Sequence, residues 1–178
     1  MKRDKRILIL DSSAFIHGFP IFQYDEECFT SPQVLDELTG ITAKTLAEAA
    51  LAAGKLKVLP PPQSFIDEAS SKAKQLGDHL ALSLTDLSVL GLAMYINAIF
   101  KEREVVLVSD DYSLQNVASK MGFTVISVRT RGITKIVEWV YYCPSCKTRY
   151  PIPPQDLKCE LCGAKLKRRP LRIHANVS

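Results

Sequence analysis

A chain of 178 residues, 47% hydrophobic and 24% charged, has room for one ordinary domain and a smaller second one, and is too apolar to stay disordered. No apolar run approaches the ~20 residues of a membrane-spanning helix, and the run after the basic start is too short for a secretory signal, so a cytoplasmic protein with no membrane partner is expected. Charge is unevenly spread: residues 1–138 carry 15 Lys and Arg against 17 Asp and Glu (−2), whereas residues 139–178 carry 8 against 2 (+6). A small basic module suggests a polyanionic partner, nucleic acid first; a solvated tail is the alternative.

In chain order, Ile7–Leu10 is a four-residue apolar run that ends in Asp11-Ser12-Ser13. Such a run suits a strand buried on both faces of a parallel sheet, with Asp11 at its carboxyl end, where it either caps a helix or walls an acidic site. A short helix or loop is expected over 12–22 and a second strand over 25–29. Ser31-Pro32 starts a helix that buries Val34, Leu35 and Leu38 and stops near Gly40; Glu37 on it reads alone as a solvated helix residue. Helices are expected over 41–53 and 64–76, with a short strand over 56–59 between them. Ser83 and Asp86 have capping-box spacing and open a largely buried helix that runs to about Lys101. A second strongly apolar strand, 104–108, ends in Ser109-Asp110-Asp111, a helix follows from about Tyr112 to Gly122, and a third strand covers 123–128. This alternation predicts an α/β domain with a parallel sheet. Residues 129–132 read as a basic turn, and the expected division is a domain over 1–130, a linker over 131–138, a metal ribbon over 139–170 and a tail over 171–178.

Two residue sets carry chemistry. Cys143-Pro-Ser-Cys146 and Cys159-Glu-Leu-Cys162-Gly163, twelve residues apart, have the spacing of a tetrahedral structural zinc site; disulfides are the alternative. The segment between them is too polar and Pro-rich to hold a core without the metal. The remaining cysteine, Cys28, reads as a buried bystander. Around the ribbon, aromatic residues alternate with cations, and Trp139, Tyr142, Lys147, Arg149, Lys165, Lys167 and Arg168 are the expected RNA contacts: rings stack on unpaired bases and cations follow phosphates. Trp139 and one Tyr also suit the small core of the hairpin.

The second set is Asp11, Glu37, Asp86, Asp110 and Asp111. In a parallel sheet, strand carboxyl ends and helix amino ends share one edge, and carboxylates gathered there repel one another until a hard cation, Mg²⁺ or Mn²⁺, joins them. No His lies in these segments to act as a general base.

ILILDSSAFI, SPQVLDELTG, LSLTDLSVLGLA and VLVSDDYSLQNVA, in this order, resemble the four acidic motifs of the PIN-domain nuclease family. With a four-Cys ribbon behind them, they are most similar to its archaeal and eukaryotic ribosome-assembly endonucleases, which cut precursor small-subunit rRNA at its mature 3′ end. The resemblance covers about residues 5–165 and implies a PIN-like sheet followed by a zinc ribbon. It also implies a divalent-metal-dependent, single-strand-selective endoribonuclease that meets the pre-ribosomal small subunit; separately, a monomer in isolation is expected. By motif match, Asp11, Glu37 and Asp86 are metal ligands, the fourth is Asp110 or Asp111, and Ser12 and Ser109 support them. The alternative is a non-catalytic rRNA-binding module on the same scaffold.

Overall fold

A computed structural model describes residues 6–76, 82–129, 135–154 and 156–175; Gly77 and most of the basic turn at 129–132 lie outside the described residues. The strands β1 (Ile7–Leu10), β2 (Glu27–Thr30), β3 (Leu56–Val58), β4 (Val105–Val108) and β5 (Thr124–Ile126) form one sheet in the order β3-β2-β1-β4-β5. Every pairing is parallel, with Ile9 opposite Phe29 on one side and Leu107 on the other. β1 and β4 are buried along their whole length, which is why they read as unbroken apolar runs.

The chain leaves β1 toward β2 on one side and enters β4 on the other, so the winding reverses between β1 and β4. In open α/β sheets the crevice outside the strand carboxyl ends at this point is where ligands bind. Asp11 follows β1 and Ser109-Asp110-Asp111 follows β4, so these acids sit at that crevice.

The helices are α1 (Ser12–Ile16), α2 (Pro32–Glu37), α3 (Ile41–Ala52), α4 (Gln63–Gln75), α5 (Leu84–Ile99) and α6 (Tyr112–Lys120), with a 3-10 turn at Ile21–Gln23. α5 is apolar almost all round and is the most deeply buried, with Val89, Leu90, Leu92, Ala93 and Ile96 fully enclosed. α4 crosses it closely at Gly91, where an added Cβ would stand 3.1 Å from the Ile66 amide nitrogen and 3.2 Å from its Cα. Gly91→Ala is therefore expected to push α4 off α5 and cost about 1–3 kcal/mol, read as a lower denaturant midpoint at unchanged slope. Cys28 lies in the core as a bystander, and burial pushes its thiol up to about 11.

At the opposite, amino-terminal edge of the sheet the charges are paired. Arg6 binds Glu26 at 2.8 Å, and Glu27 receives both Arg103 (2.7 Å) and Lys57 (3.0 Å).

The second sheet is antiparallel. β6 (Lys135–Tyr142) pairs with β8 (Lys167–Ala175) along its length and with β7 (Arg149–Tyr150) at its end, in the order β7-β6-β8, with a bulge at Glu138/Trp139. Paired backbone thus extends beyond residues 139–170 at both ends, to Lys135 and Ala175. The small core beneath this sheet is made by Tyr141, Cys143, Cys159 and Leu166, with Tyr150, Leu157 and Ala164 packed on it. Trp139, expected in this core, is instead covered by the Arg168 guanidinium, 4.1 Å from the ring centre. The pleat explains this: Trp139 lies two residues beyond Tyr141, past the end of the cysteine knuckles. No helix among the described residues is long and apolar enough to cross a membrane.

Candidate metal centres and the acidic edge

The cysteine centre is built by two tight turns. Cys143 and Cys159 end strand-like segments, and Lys147 N–H donates to the Cys143 carbonyl (3.0 Å) while Gly163 N–H donates to that of Cys159 (2.8 Å). Closing the turns puts Lys147 (φ 66°) and Gly163 (φ 71°) in the left-handed region, which Gly adopts without strain. The four sulfurs all lie within 4.8 Å of one another, and the nearest pairs, Cys143–Cys162 and Cys146–Cys159, are 3.4 Å apart. That is far beyond a disulfide at about 2.05 Å and suits four thiolates around one ion, which leaves no open position for catalysis.

Polar donors surround the sulfurs. Tyr150 Oη lies 3.2 Å from Cys159 Sγ, Thr148 Oγ1 lies 3.2 Å from Cys146 Sγ, and Cys146 N–H points at Cys143 Sγ (3.4 Å). The Tyr150 hydroxyl bond brings the Cys159 thiol down to about 6, and the same bond pushes the phenol up to about 12.

The acidic edge is assembled from both sides of the sheet. Asp11 is the N-cap of α1 and is only 3% exposed. Its Oδ2 accepts from the hydroxyls of Ser13 (2.8 Å) and Ser109 (2.9 Å), which turn accept the backbone N–H groups of Asp110 (2.9 Å) and Asp111 (3.0 Å). Two serine hydroxyls therefore tie the ends of β1 and β4 together. Buried Gln115, one turn into α6, donates to the Ser109 carbonyl and fixes the same corner.

Glu37 arrives from α2, whose N-cap Ser31 bonds Ser88 of α5 at 2.7 Å. This brings the Glu37 carboxylate to the start of α5, where Oε1 accepts from the Thr85 hydroxyl at 2.6 Å. Asp86, next along, completes the capping box that the sequence predicts: Ser83 N–H donates to its Oδ2 (2.7 Å) and its own N–H donates to Ser83 Oγ (3.1 Å). Burial pushes the Asp86 carboxyl up to about 6 against those two Ser83 bonds, and the negative charges of Asp11 and Asp111 push it the same way.

The Asp110-Asp111 doublet divides. Asp111 caps α6, its Oδ1 accepting from the amides of Ser113 (2.6 Å) and Leu114 (3.1 Å). Asp110 turns to the end of β5. There it accepts from the Ser127 hydroxyl and from the amides of Val128 (2.9 Å) and Arg129 (3.3 Å), and it meets His17 Nδ1 at 2.6 Å. Burial opposes its charge, but the bonds from Ser127, His17 and the two amides win and hold Asp110 below the usual carboxylate range.

Among the described residues Asp11, Glu37, Asp86 and Asp111 have no Lys, Arg or His partner, in contrast to the paired amino-terminal edge. No three carboxylates among these residues come as close together as the four sulfurs do. Like-charge repulsion and the separate capping bonds of Asp11, Asp86 and Asp111 hold them apart. An all-oxygen, anionic donor set of this kind fits a hard dication and not zinc.

His17, Ser13, Thr85, Gln115 and Ser127 were not legible as site residues. His17 and Ser127 meet through Asp110 from positions 93 and 17 residues away, and no local spacing marks either one. The expected RNA contacts do not share one face. Trp139 and Arg168 lie on the side of the small core, whereas Tyr142 stands opposite Arg149 and Lys167 on the other side. Lys147 is held in the first knuckle turn, its Nζ donating to the Pro144 carbonyl at 2.7 Å.

A five-stranded parallel sheet with unpaired acids at its switch point, followed by a four-Cys ribbon, defines a metal-dependent nuclease of the PIN class. The model of the family described as the PIN domain of ribonuclease matches residues 8–96, and the chain belongs to this family. It is 37% identical to Endoribonuclease Nob1 of Methanocaldococcus jannaschii over 92% of its own length and 78% of that protein's. It is 36% identical to Endoribonuclease Nob1 of Pyrococcus abyssi, over 93% and 94% of the two chains. It is also 29% identical to the 20S-pre-rRNA D-site endonuclease NOB1 of Saccharomyces cerevisiae, over 75% of this chain and 28% of that one.

Proposed function

We propose that this chain is a divalent-metal-dependent endoribonuclease that processes precursor small-subunit rRNA at its 3′ end on the pre-ribosomal particle. Residues 1–130 supply the chemistry, and the zinc-bound ribbon supplies the grip on RNA. The observation that carries this reading is the gathering of carboxylates at the switch point, where Asp86 feels the charges of Asp11 and Asp111 and none of the three has a cationic side-chain partner among the described residues. The near-full-length likeness to the archaeal endoribonucleases supports the substrate class, and the pre-rRNA named for the yeast relative supports the rRNA step.

Asp11, Glu37, Asp86 and Asp111 are the residues that would hold Mg²⁺ or Mn²⁺. The chemistry such an ion would supply there is an activated water, an oriented phosphodiester and stabilised charge on the leaving oxygen. Ser13 and Ser109 hold one oxygen of Asp11 through their hydroxyls, which fixes the carboxylate plane before the ion arrives. Thr85 does the same for one oxygen of Glu37. Asp110 serves differently: its bonds to His17, Ser127, Val128 and Arg129 latch the end of β5 against α1.

This division is testable on a single-stranded fragment spanning the 3′ end of the rRNA. Asn caps a helix about as well as Asp, so Asp111→Asn is expected to keep the thermal midpoint while cleavage in Mn²⁺ falls by about 10²–10³-fold. Asp110→Asn is expected to lower stability by about 1–3 kcal/mol, because it weakens a charged, partly buried hydrogen-bond hub. Asp111→Asn that still cuts, or Asp110→Asn that abolishes cutting at the wild-type midpoint, would reverse the assignment.

A further inference from the structure

We propose that single-stranded RNA is gripped by one face only of the C-terminal sheet, the face on which Tyr142 is framed by Arg149, Lys167 and Arg169. The inference rests on reading the chain as an RNA nuclease and adds where the strand lies. Directly opposed residues of an antiparallel ladder put their side chains on the same face, and neighbours along a strand alternate. Tyr142 is opposite Arg149 on one side and Lys167 on the other, and Val140 is opposite Arg169. The Arg169 guanidinium lies 5.3 Å from the Tyr142 ring centre. Tyr141 is opposite Tyr150 and Arg168, so these three and Trp139 belong to the reverse face.

The reverse face is already in use. Tyr141 and Tyr150 pack against Cys143, Cys159 and Leu166, and Tyr150 Oη reaches the Cys159 sulfur. The Tyr142 face buries Val140 but at its Tyr142 end carries exposed Arg149, Lys167 and Arg169, and Lys165 continues the row because buried Leu166 separates it from Lys167. The partners of Tyr142 and Val140 include no Asp or Glu, and the acid of this ladder, Glu138, stands farther along β6 opposite Arg172. A half-buried tyrosine ring between three cations matches one unpaired base and its flanking phosphates; in a duplex the base faces are stacked inside and cannot reach a ring. Arg169, which was not among the residues expected to touch RNA, therefore joins the grip, and Trp139 and Arg168 leave it.

The test uses the full-length, zinc-loaded chain and a fluorescent single-stranded 12-mer of rRNA sequence, without added Mg²⁺ or Mn²⁺ so that binding is read without cleavage. Each phosphate contact contributes about 0.7 to the slope of log affinity against log salt for a single strand, so the triple variant Arg149→Gln, Lys167→Gln, Arg169→Gln is expected to flatten the slope by about 2. Tyr142→Leu, which keeps apolar bulk without the ring, is expected to weaken binding about tenfold at unchanged slope. The double variant Trp139→Phe, Arg168→Gln is expected to leave both slope and affinity unchanged. If that double variant flattens the slope and the triple variant does not, or if neither set changes it, the face assignment is overturned while RNA binding by the chain stands. If the wild-type chain neither binds the strand nor cuts it in Mn²⁺, the nuclease reading falls and takes this inference with it.

Discussion

A strong zinc chelator is expected to unfold residues 135–175 and to leave the parallel sheet standing. Among the described residues the core under the C-terminal sheet is Tyr141, Leu166 and the two buried cysteines, with Tyr150, Leu157 and Ala164 at its margin. That is too little apolar surface to repay the entropy of ordering the segment. Four thiolates binding one zinc supply about 10–16 kcal/mol at neutral pH, which is the folding energy of such a module. Without the metal nothing joins the four gathered sulfurs, which lie within 4.8 Å of one another. Amide hydrogen exchange reads the outcome site by site: β6 and β8 lose protection on chelation, and β1 and β4, buried and paired on both sides, keep it. Cys159→Ala should reproduce the loss with zinc present. Retained protection in β6 after zinc removal would show that the sheet stands on its own core.

The second large effect concerns Asp86. Burial and the charges of Asp11 and Asp111 raise its carboxyl from 3.8 to about 6 in the folded chain. The folded state therefore holds this proton more tightly than the unfolded one, and between about pH 4 and pH 6 it binds more protons than the unfolded chain. Stability then falls as pH rises through that window, and above pH 6 the metal-free protein carries the full cost of an ionised Asp86 at the acidic edge. Asp86→Asn removes the cost and keeps a side-chain oxygen for the Ser83 amide. In the absence of Mg²⁺ and Mn²⁺ it is expected to gain about 1–2 kcal/mol on wild type between pH 4 and pH 7, with solvent screening allowed for. Chemical denaturation at the two pH values reads this difference directly. The same variant should lose metal-dependent cleavage, which makes the wild-type residue one whose function costs stability. A gain that is the same at pH 4 and pH 7 would mean that Asp86 carries no such burden.

Much of this architecture is written locally. Ile7–Leu10 and Val105–Val108 are apolar on both faces and could only be central strands, and Ser31-Pro32 and the Ser83/Asp86 box mark helix starts that the structure keeps to the residue. The placing of Asp11 and the Asp110-Asp111 doublet at one sheet edge follows from parallel topology alone, whereas Glu37 reaches the start of α5 through the Ser31–Ser88 contact. What the sequence concealed depends on contacts across long stretches of chain. Either aspartate of the Asp110-Asp111 doublet suits a helix cap, and they part only because β5 returns beside β4 and offers Asp110 the Ser127 hydroxyl and two amides. His17 carries no local mark of its meeting with Asp110. In the ribbon, composition shows which residues are basic or aromatic, but only the register of β6 against β7 and β8 sorts them onto two faces.

The central claim is that Asp11, Glu37, Asp86 and Asp111 together take up one hard dication. Paramagnetic Mn²⁺ titrated at substoichiometric amounts into the ¹⁵N-labelled, zinc-loaded chain reads it most directly. The amides of Asp11–Ser13, Ser83–Asp86 and Ser109–Ser113 should broaden first and together, and Asp11→Asn should abolish the effect. Broadening that begins at the Glu26–Glu27 edge, or that is spread over the surface and indifferent to Asp11→Asn, would contradict it.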